Sequence, residues 1–274
     1  MNSTPPLPRW SLLLLLTIVV LAVVVPWISP WTYYTPSWDE LDLEPTFANG
    51  HWLGTDDLGR DLLVRLMWGC RISLLVAVAA SLTSLFIGVL WGATAGYAGG
   101  RVDAWLMRTV DVLYAVPFIP FVIVLTVLFG RNIVLLFVAI GAVSWLDTAR
   151  IVRGQTLALR QREFITAARV GGMSPAQIVR RHVLPNLAGI VAVYLTLTIP
   201  TVILVEAFLG YLGLGAQAPL TSLGVMIADG AAQLRSRPRL LICPALLLAL
   251  LVLCCNRLGD ALRDHFDPAS GGGA

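Results

Sequence analysis

Residues 163–186 read Glu163-Phe-Ile-Thr-Ala167-Ala168-Arg-Val-Gly171-Gly172-Met-Ser174-Pro175-Ala-Gln177-Ile178-Val-Arg-Arg181-His182-Val-Leu184-Pro185-Asn186. The first eight residues suit a short helix, and the Gly171-Gly172 pair can take the left-handed geometry that ends one. A second helix then starts, with Ser174 as N-cap, Pro175 at its first position and Gln177 completing a capping box. Pro185 is expected to stop this helix at about Leu184. The outcome is a helix, a sharp turn and a helix, set between long apolar runs.

Those runs set the fold class. Of 274 residues, 57% are hydrophobic and 13% charged, and the apolar ones fall in stretches long enough for lipid rather than for a soluble core. Six stretches qualify as spans: Trp10 to Ile28, Ile72 to Tyr97, Val110 to Phe129, Asn132 to Ala149, Leu187 to Leu209, and Leu240 to Asn256. The first could be a signal peptide, but it runs into Pro26, Trp27 and Pro30 without a small-residue cleavage site and reads as an uncleaved span. The fourth has only about fifteen residues before Asp147, short enough to suit a re-entrant segment as well. The expected fold is an all-α integral membrane protein of six transmembrane helices.

Charge sets the orientation. Arg150, Arg153, Arg160, Arg162, Arg169, Arg180 and Arg181 crowd the segment 150–186, which the positive-inside rule makes cytoplasmic. Arg9 puts the amino terminus on the same side, so an even number of spans separates the two. The expected division is a cytoplasmic segment 1–9, a first helix 10–30, an external loop 31–71, a core 72–256 carrying the loop 150–186, and a cytoplasmic tail 257–274. The external loop holds Asp39, Glu40, Asp42, Glu44, Asp56, Asp57 and Asp61, read either as a solvated loop or as a surface that attracts cationic ligands.

Inside the spans, Gly88, Gly92, Gly96 and Gly100 recur every fourth residue and allow a second helix to come close, whether from this chain or another. Pro117, Pro120, Pro200 and Pro244 predict kinks. Thr196, Thr198 and Thr201 beside Pro200 either satisfy freed backbone groups or line a polar path. Glu206 is the intramembrane carboxylate to test; its alternative is an interfacial residue whose charge reaches headgroups or water. Cys70, Cys243, Cys254 and Cys255 form no C-x-x-C pair and no metal-ligand spacing, so packing is their expected role. No catalytic constellation and no metal site is expected, and a net charge of +3 gives no reason to expect nucleic acid.

Gly54 to Gly59 has Walker A spacing, but Arg60-Asp61 follows where Lys and Ser/Thr are needed, and all nineteen basic residues are arginine. Any ATPase must be a separate polypeptide. The helix pair of residues 163–186 is then a docking element for another protein, or an amphipathic pair lying on anionic lipid.

The stretch resembles the EAA loop of binding-protein-dependent ABC importer permeases, with Glu163, Ala167, Ala168, Gly172, Ile178, Leu184 and Pro185 at the family's places. Residues 53–61 with 69–74, and 206–215 with 224–230, are similar to the "C" subunits of the oligopeptide, dipeptide and nickel group. Leu223 stands where these permeases commonly carry tryptophan, and Gly210 where serine is usual.

The resemblance implies a non-catalytic subunit of a bacterial inner membrane, with both termini cytoplasmic. It pairs with a homologous second permease, two cytoplasmic ABC ATPase subunits and an external solute-binding protein, in contact with membrane lipid. ATP and Mg belong to the ATPases, with no cofactor in this chain. The coupling residues would be Glu163, Ala167, Ala168, Gly172, Ser174, Ile178 and Leu184 with Pro185, while Arg181, His182 and Asn186 fasten the second short helix to the fifth span. The implied cargo is a dipeptide or oligopeptide, with nickel or another small solute as the alternative. A secondary transporter is the distant one, lacking a clear repeat or a midplane acid, and an intramembrane hydrolase lacks a nucleophile and base at matching depth.

Overall fold

The computed structural model describes residues 9–47 and 49–266, the side chains of His265 and Phe266 excepted. Nearly all of the expected amino-terminal segment (residues 1–8) and the end of the tail (267–274) lie outside the described residues. The elements are helices: α1 (Arg9–Ile28), α2 (Leu62–Ala98), α3 (Gly100–Tyr114), α4 (Phe118–Phe129), α5 (Ile133–Arg160), α6 (Glu163–Val170), α7 (Pro175–Ile178), a π turn (Val179–Val183), α8 (Leu184–Tyr211), α9 (Leu223–Ala232) and α10 (Arg239–Phe266). Among the described residues five helical stretches are long and apolar enough to cross a membrane, and the pair α3–α4 makes a sixth when taken as one broken span.

That pair corrects the expected third span. The chain bends by 78° between α3 and α4, because Pro117 has no amide hydrogen and pushes the residue before it out of helical geometry. Ala115 closes α3 through its N–H to the Asp111 carbonyl at 3.1 Å, and Pro117 opens α4 in extended geometry. Asp111 therefore belongs to a separate helix, where its carboxylate accepts from Arg150 at 2.9 Å.

Three further boundaries move. The second span starts at Leu62, ten residues ahead of expectation, because Asp61 caps it by accepting the Val64 N–H at 2.8 Å. The fourth continues to Arg160, with Arg153 holding Asp103 of α3 at 2.5 and 2.7 Å. Three arginines assigned to the loop thus extend a helix, and the loop proper begins at Gln161. At the other end α10 runs to Phe266, so much of the expected tail is helical.

Pro185 does not stop the second short helix. The chain runs as one helical stretch from Pro175 to Tyr211, because the π turn directs the Leu184 N–H to the Val179 carbonyl and Pro185 falls in the first turn of α8. The widened turn accommodates the Pro185 ring at the entry to α8. Pro200 and Pro244 likewise lie inside continuous helices.

The close approach allowed by the glycines is made within this chain, by α2 against α5. A Cβ on Gly88 would lie 2.6 Å from the Thr148 Cβ, one on Gly92 2.9 Å from the Arg153 nitrogen, and one on Gly96 2.8 Å from the Arg153 carbonyl. Gly100 faces open space. The main apolar core lies between α1, α2, α5, α8, α9 and α10, around Cys70, Ala77, Ile140, Ile203 and Leu251. On α1 the outer face leaves Leu13, Leu16 and Val20 exposed, as a lipid-facing helix does.

Polar side chains repair the backbone where the helices leave gaps. Pro26 leaves the Ala22 carbonyl of α1 without its usual donor, and Arg71 of α2 supplies one at 3.1 Å, with the Val23 carbonyl at 2.8 Å. Between α1 and α2, the acidic loop is less solvated than its composition suggests. Asp56 accepts from the Leu58 and Arg60 amides at 2.9 Å each and pairs with Arg60 and Arg65. His51 is buried, 2.8 Å from Asp61 and stacked on Trp31.

Candidate functional site

The helix pair α6–α7 stands at the end of the bundle where α2 and α5 finish, on an apolar cluster of its own. Ile165 of α6 and Ile178 of α7 are buried together with Val183, Leu187, Tyr97 and Val152. Ala168 and Met173 pack partly against the same cluster. Two large aliphatic side chains thus turn inward and fix the height of the pair above the membrane spans.

Between the helices, the Gly171 N–H reaches the Ala167 carbonyl at 2.8 Å, Gly172 that of Arg169 at 3.1 Å and Met173 that of Ala168 at 3.1 Å. Of the two glycines only Gly172 is left-handed, with φ of +82°; Gly171 has φ of −68°. The capping box then opens α7: the Ser174 N–H reaches Gln177 Oε1 at 2.9 Å, and the Gln177 N–H reaches Ser174 Oγ at 3.4 Å.

The outward face of the pair carries Glu163, Ala167, Gly172, Ser174 and Arg181, all of them exposed. Phe164 and Val170 add apolar surface, Val170 being 85% exposed. At the junction with α8, Asn186 donates its side-chain amide to the His182 carbonyl at 2.6 Å, across the end of the π turn. His182 is half-buried, its ring centroid 6.3 Å from that of Phe164. Leu184 is half-buried and Pro185 exposed.

The residues named for a pathway lie elsewhere. The hydroxyls of Thr196, Thr198 and Thr201 donate to the carbonyls of Val193, Tyr194 and Leu197 at 2.7, 2.7 and 3.2 Å, all within α8, and Pro200 is buried. Glu206 corrects the interfacial alternative: it is fully buried. Its Oε2 accepts from Ser73 of α2 at 2.7 Å, and Ser73 in turn accepts the Leu223 N–H at the start of α9 at 3.2 Å.

Sequence reading missed Ile165, Arg71 and the Asp56–Arg65 pair. For Ile165 a signal existed, since Ile165 and Ala168 share one helical face at i, i+3 spacing. Arg71 had none, because the carbonyls it serves are 48 and 49 residues away.

The arrangement is that of a multi-span membrane protein with a short helix pair at the end of its bundle, buried on one side and exposed on the other. Residues 88–271 match the family described as "Binding-protein-dependent transport system inner membrane component". The oligopeptide transport system permease protein OppC of Haemophilus influenzae is 49% identical over 258 residues, covering 94% of this chain and 83% of its own. OppC of Salmonella typhimurium is 50% identical over the same length, covering 94% and 85%. The dipeptide transport system permease protein DppC of Bacillus subtilis is 43% identical over 260 residues, covering 94% and 80%. Among solved structures, a chain of the MetNI methionine ABC transporter in inward-facing conformations superposes with a TM-score of 0.58 at 22% identity, covering 75% of this chain and 96% of that one. This chain belongs to the family of binding-protein-dependent transport system inner-membrane components, and it is a multi-pass ABC importer permease.

Proposed function

We propose that the chain forms, with a homologous second permease, the path for peptides handed over by an external binding protein, and that two cytoplasmic ATPases drive it by seating the α6–α7 pair. The observation that carries this is the two-sidedness of the pair: Ile165 and Ile178 are fully buried while Glu163, Ala167 and Gly172 are exposed. A partner that presses on the exposed side moves the cluster beneath, and with it α2, α5 and α8. Peptide cargo is supported by the names of the oligopeptide and dipeptide relatives.

In this reading ATP and Mg are held by the ATPases, and this chain does no chemistry. ATP closure shifts the coupling helices, and the cycle gains direction because the outward-open and inward-open states bind the partners with different affinity. The test is affinity purification of the tagged chain in mild detergent, mass spectrometry of what accompanies it, and peptide-stimulated ATPase activity with and without Gly172→Val. A second permease and two ATPases are expected, with stimulation lost in the variant. A chain that purifies alone, or stimulation unchanged by the variant, overturns the proposal.

A further inference from the structure

Beside the coupling pair, at the cytoplasmic end of α2, opens a cleft of about 710 Å³. Arg160 from α5, Arg169 from α6 and Arg180 from the π turn all line it, and no carboxylate does. Among the described residues none of these three arginines makes an ion pair, whereas Arg150 and Arg153 do. Arg160 lies against the main chain of Gly99, where any side chain would collide with its guanidinium. The rest of the lining, including Tyr97, Val179 and Leu184, is mostly apolar.

A second groove of about 290 Å³ continues from this cleft. It is lined by Phe86, Leu90, Trp91 and Leu106, and it shares Thr94 with the cleft. The Thr94 hydroxyl already donates to the Leu90 carbonyl at 2.6 Å, so the junction makes no unmet polar demand. Phe86 is 67% exposed. From Ala98 back to Phe86 the two grooves cover about 18 Å of helix at 1.5 Å per residue, comparable with the ~15 Å of one leaflet of a 30 Å hydrocarbon core.

A cation cluster at one end and a largely apolar trough at the other, whose Trp91 and Thr94 polar groups are already engaged with the main chain, at leaflet length, have one natural occupant. We propose that this groove holds one anionic phospholipid of the cytoplasmic leaflet, its phosphate among Arg160, Arg169 and Arg180 and an acyl chain along Phe86, Leu90 and Trp91. Basic pockets beside transmembrane helices on the cytoplasmic side take such headgroups by charge, and the trough supplies burial for the chain. Because Arg169 and Arg180 flank the coupling pair, the lipid sits against the element that receives the ATPase. The inference rests on the family's membrane orientation and not on the cargo.

The test is native mass spectrometry of the intact complex, delipidated in detergent and offered palmitoyl-oleoyl phosphatidylglycerol or the matching phosphatidylcholine. Phosphatidylglycerol retained about tenfold or more over phosphatidylcholine is expected. The triple change R160Q/R169Q/R180Q removes that preference, while the triple change to lysine keeps it. Thr94→Trp, which fills the junction and leaves the charges, also abolishes retention. Equal retention by wild type and the glutamine triple overturns the proposal. So does displacement of phosphatidylglycerol by inorganic phosphate or glycerol 3-phosphate at matched concentration, which identifies a free-anion site. Absence of any retained lipid in wild type, as when the second permease covers the groove, overturns it too. The readout is bound lipid, so a negative result leaves the peptide-import reading standing, and a complex that moves another solute leaves the lipid site standing.

Discussion

Ser73 Oγ gives its hydrogen to Glu206 Oε2 at 2.7 Å and receives that of the Leu223 amide at 3.2 Å, so a single hydroxyl joins α2, α8 and α9. All three groups are buried. Ser73→Ala leaves the Glu206 carboxylate with Ser222 as its remaining hydroxyl partner and frees the buried Leu223 amide, and a loss of about 1–3 kcal/mol is expected from the unsatisfied groups. Glu206→Gln keeps an acceptor for Ser73 and is expected to lose less. Thermal unfolding of the purified complex checks both, and a midpoint unchanged in Ser73→Ala would show that this junction contributes nothing.

The seam between α2 and α5 sets a second expectation. A methyl group on Gly92 meets the Arg153 nitrogen and the Val152 Cβ, each at 2.9 Å, and backbone cannot turn aside as a long side chain can. Gly92→Ala is expected to cost about 1–3 kcal/mol by overpacking. Gly154→Ala, exposed on α5 with nothing within 4 Å, is expected to be neutral or stabilising by up to about 1 kcal/mol from helix propensity. Equal midpoints for the two variants would contradict the packing.

Ile165 makes no use of the exposed face, yet it holds that face in place. Ile165→Ala removes the buried anchor of α6, with an expected cost of about 2–5 kcal/mol, and peptide-stimulated ATPase activity should fall with it. Val170→Ala, on the exposed side, should stay within about 0.5 kcal/mol in stability. Stimulation retained in Ile165→Ala would mean that the pair is not seated by this cluster.

At Gly172 the constraint is conformational alone, since φ is +82° and a Cβ added there would meet nothing within 4 Å. Gly172→Val should strain the turn by about 1–2 kcal/mol, the left-handed penalty for an L-residue. Gly172→Asn, which tolerates that region, should recover most of the coupling. Steric blocking of a partner would instead make both variants equally poor, and ATPase stimulation in the pair separates the two causes.

Much of this is legible in the sequence because the spans, the Ser174–Gln177 box and the glycine spacing are local patterns. A residue such as Gly92 announces a close approach, but not its partner, since α5 lies some fifty residues further on. The failures share a cause. Pro117 and Pro185 have the same intrinsic chemistry, yet one ends up beside a 78° bend and the other in a continuous helical stretch, entered through a π turn five residues long. Ile178 and Val183 pack beneath that turn against residues far away in the chain, a contact that no local pattern records. Glu206 departs from expectation for a similar reason: its closeness to a helix end suggests water, but α9 folds back over that end and Ser73 meets it from α2.

The glycine seam also bears on how a stroke travels. Where two helices touch through main chain, there are few rotamers to exchange and little slack to take up, so in the proposed cycle α2 and α5 are expected to move as one stiff lever. Its inner end carries Tyr97 and Val152 against Ile165 and Ile178; its outer end carries Ser73 against Glu206. On that reading the hinges of the proposed cycle are expected outside this pair, at joints with looser packing. A cysteine cross-link stapling α2 to α5 should leave transport running, whereas a subunit that flexes along the seam would be stalled by it.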